Sequence, residues 1–89
     1  MTLLMPTLTP TIINDTGHAV TLDGCTVDPA SLSRGEIVSD VEVGKSAKSC
    51  HVSFSDGARP DGCLYLPAGL TNDSVLRLSG YTPTKRVCR

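Results

Sequence analysis

The sequence predicts an all-β fold, specifically a small sandwich or barrel of about six to eight short antiparallel strands. Three observations predict it. Apolar and polar residues alternate with a period of two in several segments. Gly, Pro, Asn and Asp separate these segments at short intervals, as turns do. No segment sustains the helical period of 3.6 residues. The chain has 89 residues, which fits a single domain.

The chain contains an internal repeat. Residues 23–33 and 61–71 both follow the pattern D-G-C-x-x-x-P-A-x-L-[ST]. The correspondence continues at the same offset of 38 residues, at which Cys50 falls on Cys88. Sequence similarity at a fixed offset indicates repeated structural units. We therefore expect the β domain to be built on a duplication.

The repeat and the strongest turn signals suggest a division of the chain. An extended N-terminal arm is expected at 1–11, and one β domain at 12–89. The parts of the β domain are a hairpin at 12–22, a first repeat unit at 23–54 and a second repeat unit at 61–89.

The predicted arm is apolar and carries no charged side chain. Pro6 and Pro10 favour extended backbone in the residues before them. The arm could complete the sheet of its own chain as a first strand, or it could dock on a partner chain. In the second case, four apolar side chains are the expected contacts: Leu3, Leu4, Met5 and Leu8.

Two segments show clear alternation. Residues 36–43 place Ile37, Val41 and Val43 on one face and acidic residues on the other, which predicts a half-buried strand. Val38 is the apolar exception on the acidic face. The second segment alternates Cys50, Val52 and Phe54 with polar residues.

The four cysteines allow three pairings. If one repeat unit was once self-sufficient, the bridges join Cys25 to Cys50 and Cys63 to Cys88. Each bridge would close a loop of about 25 residues, worth ~3–4 kcal/mol in the chain-entropy estimate. Zinc is disfavoured because no two cysteines form the close pair that is typical of four-thiolate sites. Free thiols in a cytosolic protein remain open.

Several function classes are disfavoured. The net charge of −1 lacks the basic excess of a nucleic-acid binder. No apolar run approaches the ~20 residues of a membrane span. A phosphate loop ending at Lys45 would need a glycine where Ser39 stands. His18 and His51 have no carboxylate at a recognised catalytic spacing. We therefore expect a non-enzyme with no catalytic residue, cofactor, metal or small-molecule substrate.

Two glycosylation patterns begin at Asn14 and Asn72. Asn and Asp also form side-chain turns of their own, so we interpret both patterns as turns.

The expected function is a structural or interaction module that docks onto a larger assembly through its arm and β body, as a capsid decoration or surface-lattice subunit does. Its partner would be another protein or further copies of itself. The alternative is a small secreted, disulfide-stapled binding or inhibitor protein that presents residues 55–62 with Arg59 exposed. A metal- or nucleotide-dependent enzyme ranks last. No signal peptide is visible, and a virion surface, a cell surface or the extracellular space would suit the disulfides.

Overall fold

The computed structural model describes residues 6–88, in which regular structure consists of ten short strands and one 3-10 helix, with no α-helix in that range. The strands are β1 (Thr7–Leu8), β2 (Thr11–Ile13), β3 (Val20–Asp23), β4 (Ala30–Leu32), β5 (Ile37–Val38), β6 (Val43–Gly44), β7 (Ser49–Phe54), β8 (Gly62–Tyr65), β9 (Val75–Arg77) and β10 (Thr82–Pro83). The 3-10 helix spans Leu78–Gly80.

The strands form three sheets. The largest has five antiparallel strands in the order β10-β8-β7-β3-β4. A three-stranded sheet has the order β5-β2-β9, in which β9 is parallel to β2. The third sheet joins β1 to β6. The all-β prediction is confirmed, but the described pairings close no barrel, and the sandwich-or-barrel architecture stays a prediction.

The strands are more numerous and shorter than predicted. β1 lies in the predicted arm, and β4 lies within the first repeat unit. The single strand predicted at 36–43 is divided into β5 and β6. The division has a clear cause, because β5 pairs with β2 while β6 pairs with β1, so the chain bends at Ser39–Asp40 to reach a second sheet.

The core is mostly aliphatic. The inward side of β7 confirms the predicted alternation, since Cys50, Val52 and Phe54 are all buried. The prediction for Ile37 is wrong, because 62% of its surface is exposed. Val38 packs inward instead, opposite the fully buried Ile12 of β2. The buried apolar cluster comprises Ile12, Val20, Leu22, Cys25, Leu32, Val43, Cys50, Val52, Phe54, Leu64, Leu76 and Leu78.

The hairpin predicted at 12–22 does not form, because β2 and β3 belong to different sheets. The Asn14 side chain explains the departure. It is fully buried, and Nδ2 donates hydrogen bonds to the carbonyls of His18 at 2.7 Å, Leu32 at 3.1 Å and Ser33 at 2.9 Å. Its two hydrogens are therefore shared among three acceptors. Oδ1 accepts from Thr16, through N at 3.3 Å and Oγ1 at 2.7 Å.

Equivalent positions of the two repeat units contact β2 from its two sides, β5 running antiparallel and β9 parallel to it. Ile12 lies opposite both Val38 and Leu76, which are 38 positions apart. The Glu36 carbonyl accepts a hydrogen bond from Asn14 N, and the equivalent Ser74 carbonyl accepts one from Thr11 N, both at 2.9 Å. β2 therefore lies between corresponding segments of the two units.

The loops before β5 and β9 also correspond. Glu36 N donates to the Ser33 carbonyl at 3.0 Å, and Ser74 N donates to the Thr71 carbonyl at 3.1 Å. In each loop the side chain of the later residue also accepts a hydrogen bond from the earlier residue. Ser33 N donates to Glu36 Oε1, and Thr71 N donates to Ser74 Oγ. The sequence similarity thus has a counterpart in hydrogen bonding.

The repeated glycine serves two different purposes. Gly24 has a φ of 81°, a left-handed conformation that suits glycine. Gly62 lies inside β8, where a Cβ atom would collide with the Thr82 carbonyl of β10. The glycine of the repeat is therefore required for its left-handed backbone in one unit and for the close approach of a neighbouring strand in the other.

The cysteines form two disulfides, Cys25–Cys50 and Cys63–Cys88, each with a sequence separation of 25. This is the pairing that the repeat favoured. Cys25 and Cys50 belong to the buried cluster. Cys63 is buried while Cys88 is half-buried, so the second bridge attaches the C-terminal segment to β8.

Replacing Asn14 with alanine should lower the free energy of unfolding by about 2–4 kcal/mol, because buried carbonyls would lose their donor. Asn72→Ala is the matched control. Asn72 is exposed, and its Oδ1 accepts a hydrogen bond from Thr9 N at 2.8 Å. Its loss should cost less than about 1 kcal/mol. Urea denaturation measures both, and equal losses would contradict the role given to Asn14.

Removing one bridge or the other should lower the free energy of unfolding by unequal amounts. Both close loops of the same length, worth ~3–4 kcal/mol in the chain-entropy model. Cys25→Ala/Cys50→Ala also removes buried contacts from the core. It should therefore lower the free energy of unfolding more than Cys63→Ala/Cys88→Ala does. Denaturation of the two double variants under identical conditions gives the comparison. A larger loss at Cys63–Cys88 would be inconsistent with this description of the core.

Candidate protein-binding surfaces

The structure brings each histidine close to a carboxylate that its sequence position did not suggest. His18 Nδ1 lies 3.1 Å from Asp56 Oδ2, and His51 Nε2 lies 3.8 Å from Asp61 Oδ2. Neither pair adds a third potential metal ligand, since no group of three or more such residues occurs within residues 6–88. Over the same range, no helix is long and apolar enough to cross a membrane.

The C-terminal segment borders a groove of about 360 Å³ on the outer side of the five-stranded sheet. Asp23 and His51 are cross-strand neighbours in its floor. Lys85 and Arg86 line the other side. Because the groove carries charges of both signs, it favours no single class of ion.

The outer face of the three-stranded sheet carries exposed apolar side chains. Ile37 and Val75, which occupy equivalent repeat positions, are 62% and 55% exposed. They flank β2, with Ile37 opposite the half-buried Ile13 and Val75 opposite Thr11. Arg77 lies on the other side of Ile13. We call these five residues the β5-β2-β9 face.

The described part of the predicted arm contacts its own chain. Leu8 is half-buried and pairs with Val43, while Thr7 pairs with Gly44. Lys45 N donates to the Pro6 carbonyl at 3.0 Å. The predicted contact residues Leu3, Leu4 and Met5 lie outside the described residues. Partner binding by Leu8 therefore stays a prediction, and its backbone already has an intramolecular partner.

The loop at 55–61 joins β7 to β8, and all seven of its residues are exposed. Arg59, the predicted contact residue of the alternative function, lies within it. Asp56 and Pro60 on either side of Arg59 are tied to the body, through His18 and Tyr81 respectively. The structure thus holds the loop at two points.

Two aspartates favour their ionised forms. The amide of Ala58 donates a hydrogen bond to Asp56 and lowers its pKa, with a further contribution from His18. Partial burial raises the pKa of Asp15, but hydrogen bonds from Ser79 N and Oγ, at 2.9 and 2.8 Å, outweigh it and lower the pKa overall. Arg77 adds a smaller favourable charge.

Sequence reasoning missed two of these features. It placed Ile37 on a buried face, whereas pairing with β2 turns that side chain outward. It treated Asn14 only as a turn residue. The Asn14-x-Thr16 pattern does form a local turn, but the Asn14 side chain also bonds to carbonyls far along the chain. Buried and hydrogen-bonded, its amide is inaccessible for glycosylation in the folded protein.

Comparison with protein-family models, curated proteins and solved structures found no match in any of the three.

The Asp15 contacts should make stability depend on pH. Because folding lowers the pKa of Asp15 from 3.8, its contribution is present above that pH and is lost as pH falls through the folded-state pKa. Asp15→Asn should therefore reduce stability at pH 7 and flatten its decline between about pH 5 and pH 2. Asp73→Asn, at an exposed position, is the control. Identical pH profiles for wild type and Asp15→Asn would contradict the assignment.

Proposed function

We propose that the protein is a non-enzymatic interaction module that docks onto a larger protein assembly, as a capsid decoration or surface-lattice subunit does. The observation that carries the proposal is the β5-β2-β9 face. Single exposed apolar residues are normal on protein surfaces. Here Ile37 and Ile13 are neighbours across paired strands, and Val75 lies on the same face. Exposed apolar side chains grouped on one sheet face are typical of interaction sites.

The edges of the same sheet offer a second means of docking. β5 and β9 are its outer strands, so within residues 6–88 each has one side without a strand partner in this sheet. A strand of a neighbouring subunit could pair there through main-chain hydrogen bonds, while the apolar face supplies burial. This arrangement suits attachment to a repeating lattice, where each copy needs the same contacts.

The two disulfides indicate an oxidising and extracellular setting. A virion or cell surface is the specific location that we propose, because surface lattices assemble there. Covalent bridges would also stabilise a domain whose small size limits its core.

Copies of this chain are the partner to which we commit. Because Ile37 and Val75 contribute little to the core, Ile37→Ser/Val75→Ser should leave the fold intact. Sedimentation velocity at about 10–200 µM detects contacts with micromolar dissociation constants. Wild type should self-associate in this range, and the double variant should weaken association at least tenfold, equivalent to about 1.4 kcal/mol.

Val27→Ser is the matched control, since Val27 is 60% exposed but lies outside the three-stranded sheet. It should associate as wild type does. Deletion of residues 1–5 removes Leu3, Leu4 and Met5 without touching β1, and it should weaken association if the arm contributes. Wild type that stays monomeric at the highest concentration would contradict docking between copies.

A further inference from the structure

The loop at 55–61 presents Arg59, which has no salt-bridge partner among residues 6–88. All seven residues are exposed. Within residues 6–88, the salt bridges involve His18, His51 and Arg77 as the cationic partners, so the guanidinium of Arg59 is paired with no carboxylate of the described chain. It is therefore available to a carboxylate of another molecule.

The N-terminal side of the loop is fixed by three contacts. Gly57 N donates to the Phe54 carbonyl at 3.0 Å, which closes a turn directly after β7. Ala58 N donates to Asp56 Oδ1 at 2.9 Å. The other oxygen of Asp56 lies 3.1 Å from His18 Nδ1, which joins the turn to the body of the protein.

The C-terminal side is fixed independently. Tyr81 Oη donates to the Pro60 carbonyl at 3.0 Å, and Thr84 N donates to the Asp61 carbonyl at 3.0 Å. The Tyr81 ring packs against Phe54, with 5.3 Å between ring centroids. Two of the three aromatic residues of the chain therefore support this loop.

The strands on both sides of the loop are covalently tied. β7 contains Cys50, bridged to Cys25, and β8 contains Cys63, bridged to Cys88. Pro60 adds a local restriction, because it favours extended backbone at the residue before it, Arg59. The loop is thus ordered before any partner binds, which reduces the conformational entropy lost on binding.

We propose that this loop inserts Arg59 into the acidic specificity pocket of an arginine-selective serine protease and inhibits the enzyme. A guanidinium forms two parallel hydrogen bonds with a carboxylate, and trypsin-type pockets hold an aspartate at their base. Arginine is also enriched among residues that dominate binding energy. This role uses a different surface from the β5-β2-β9 face and does not rest on docking to a lattice.

Inhibition rather than cleavage is expected because of the residue that follows Arg59 and the contacts that hold the loop on both sides. The bond beside the arginine joins Arg59 to Pro60, whose carbonyl is held by Tyr81, and trypsin-type proteases cleave very slowly before proline because the leaving nitrogen belongs to its rigid ring. Cys50 and Cys63 keep both strands attached to the body through their bridges. If the bond were cut, the new ends would stay close together, so religation would compete with release.

Inhibition of chromogenic-substrate hydrolysis by trypsin and by plasmin tests the proposal. Wild type should inhibit at least one of them. Arg59→Ala should raise the inhibition constant at least about 30-fold, as expected for loss of one partner of a buried charge pair. Arg59→Lys keeps the charge and should raise it less. Arg34→Ala, which removes another exposed arginine, is the matched control and should inhibit as wild type does.

A second variant tests the anchoring. Tyr81→Phe removes the hydrogen bond to Pro60 but keeps the ring beside Phe54, so it should raise the inhibition constant about 3–10-fold with the fold retained. An unchanged constant would refute the anchoring. Ile37→Ser/Val75→Ser should inhibit normally, which separates this test from that of the docking face. Lack of inhibition of both proteases, equal effects of Arg59→Ala and Arg34→Ala, or rapid cleavage after Arg59 would overturn the proposal.

Discussion

The buried amide of Asn14 is the constraint on which the arrangement of the sheets depends. It follows directly after β2 in the three-stranded sheet and donates to Leu32 in β4 of the five-stranded sheet. An amide without partners in this position would cost free energy, whereas an amide with all its partners fixes one geometry. The junction between two sheets is therefore determined by hydrogen-bond direction as well as by apolar burial.

Two of the three aromatic side chains lie beside the loop at 55–61. The core is almost entirely aliphatic, and the bridge between Cys25 and Cys50 lies inside it. Phe54 and Tyr81 meet at the edge of this core and support the loop at 55–61, while Tyr65 is exposed. The exposed loop is held at its base by the contacts of Asp56 with His18 and of the Pro60 carbonyl with Tyr81.

The sequence sufficed to predict features that depend on local pattern. Alternation identified the buried side of β7, and the repeat favoured the observed pairing of Cys25 with Cys50. The sequence could not predict which strands pair when they are far apart in the chain. Residues 12–22 have the pattern of a hairpin, but β2 instead pairs with strands much later in the chain. The same pairing decides that Ile37 faces outward, and for that reason the apolar candidate surface was not visible in the sequence.

The position of β2 limits what either half of the duplication could do alone. It precedes both repeat units in the chain, yet β5 of one unit and β9 of the other are both hydrogen-bonded to it. A single excised unit would keep its internal sulfur bridge and lose the strand that completes its sheet. An ancestor made of one unit would thus have needed a strand from elsewhere in its chain or from a second molecule. Joining two units in one polypeptide allows a single strand to serve both.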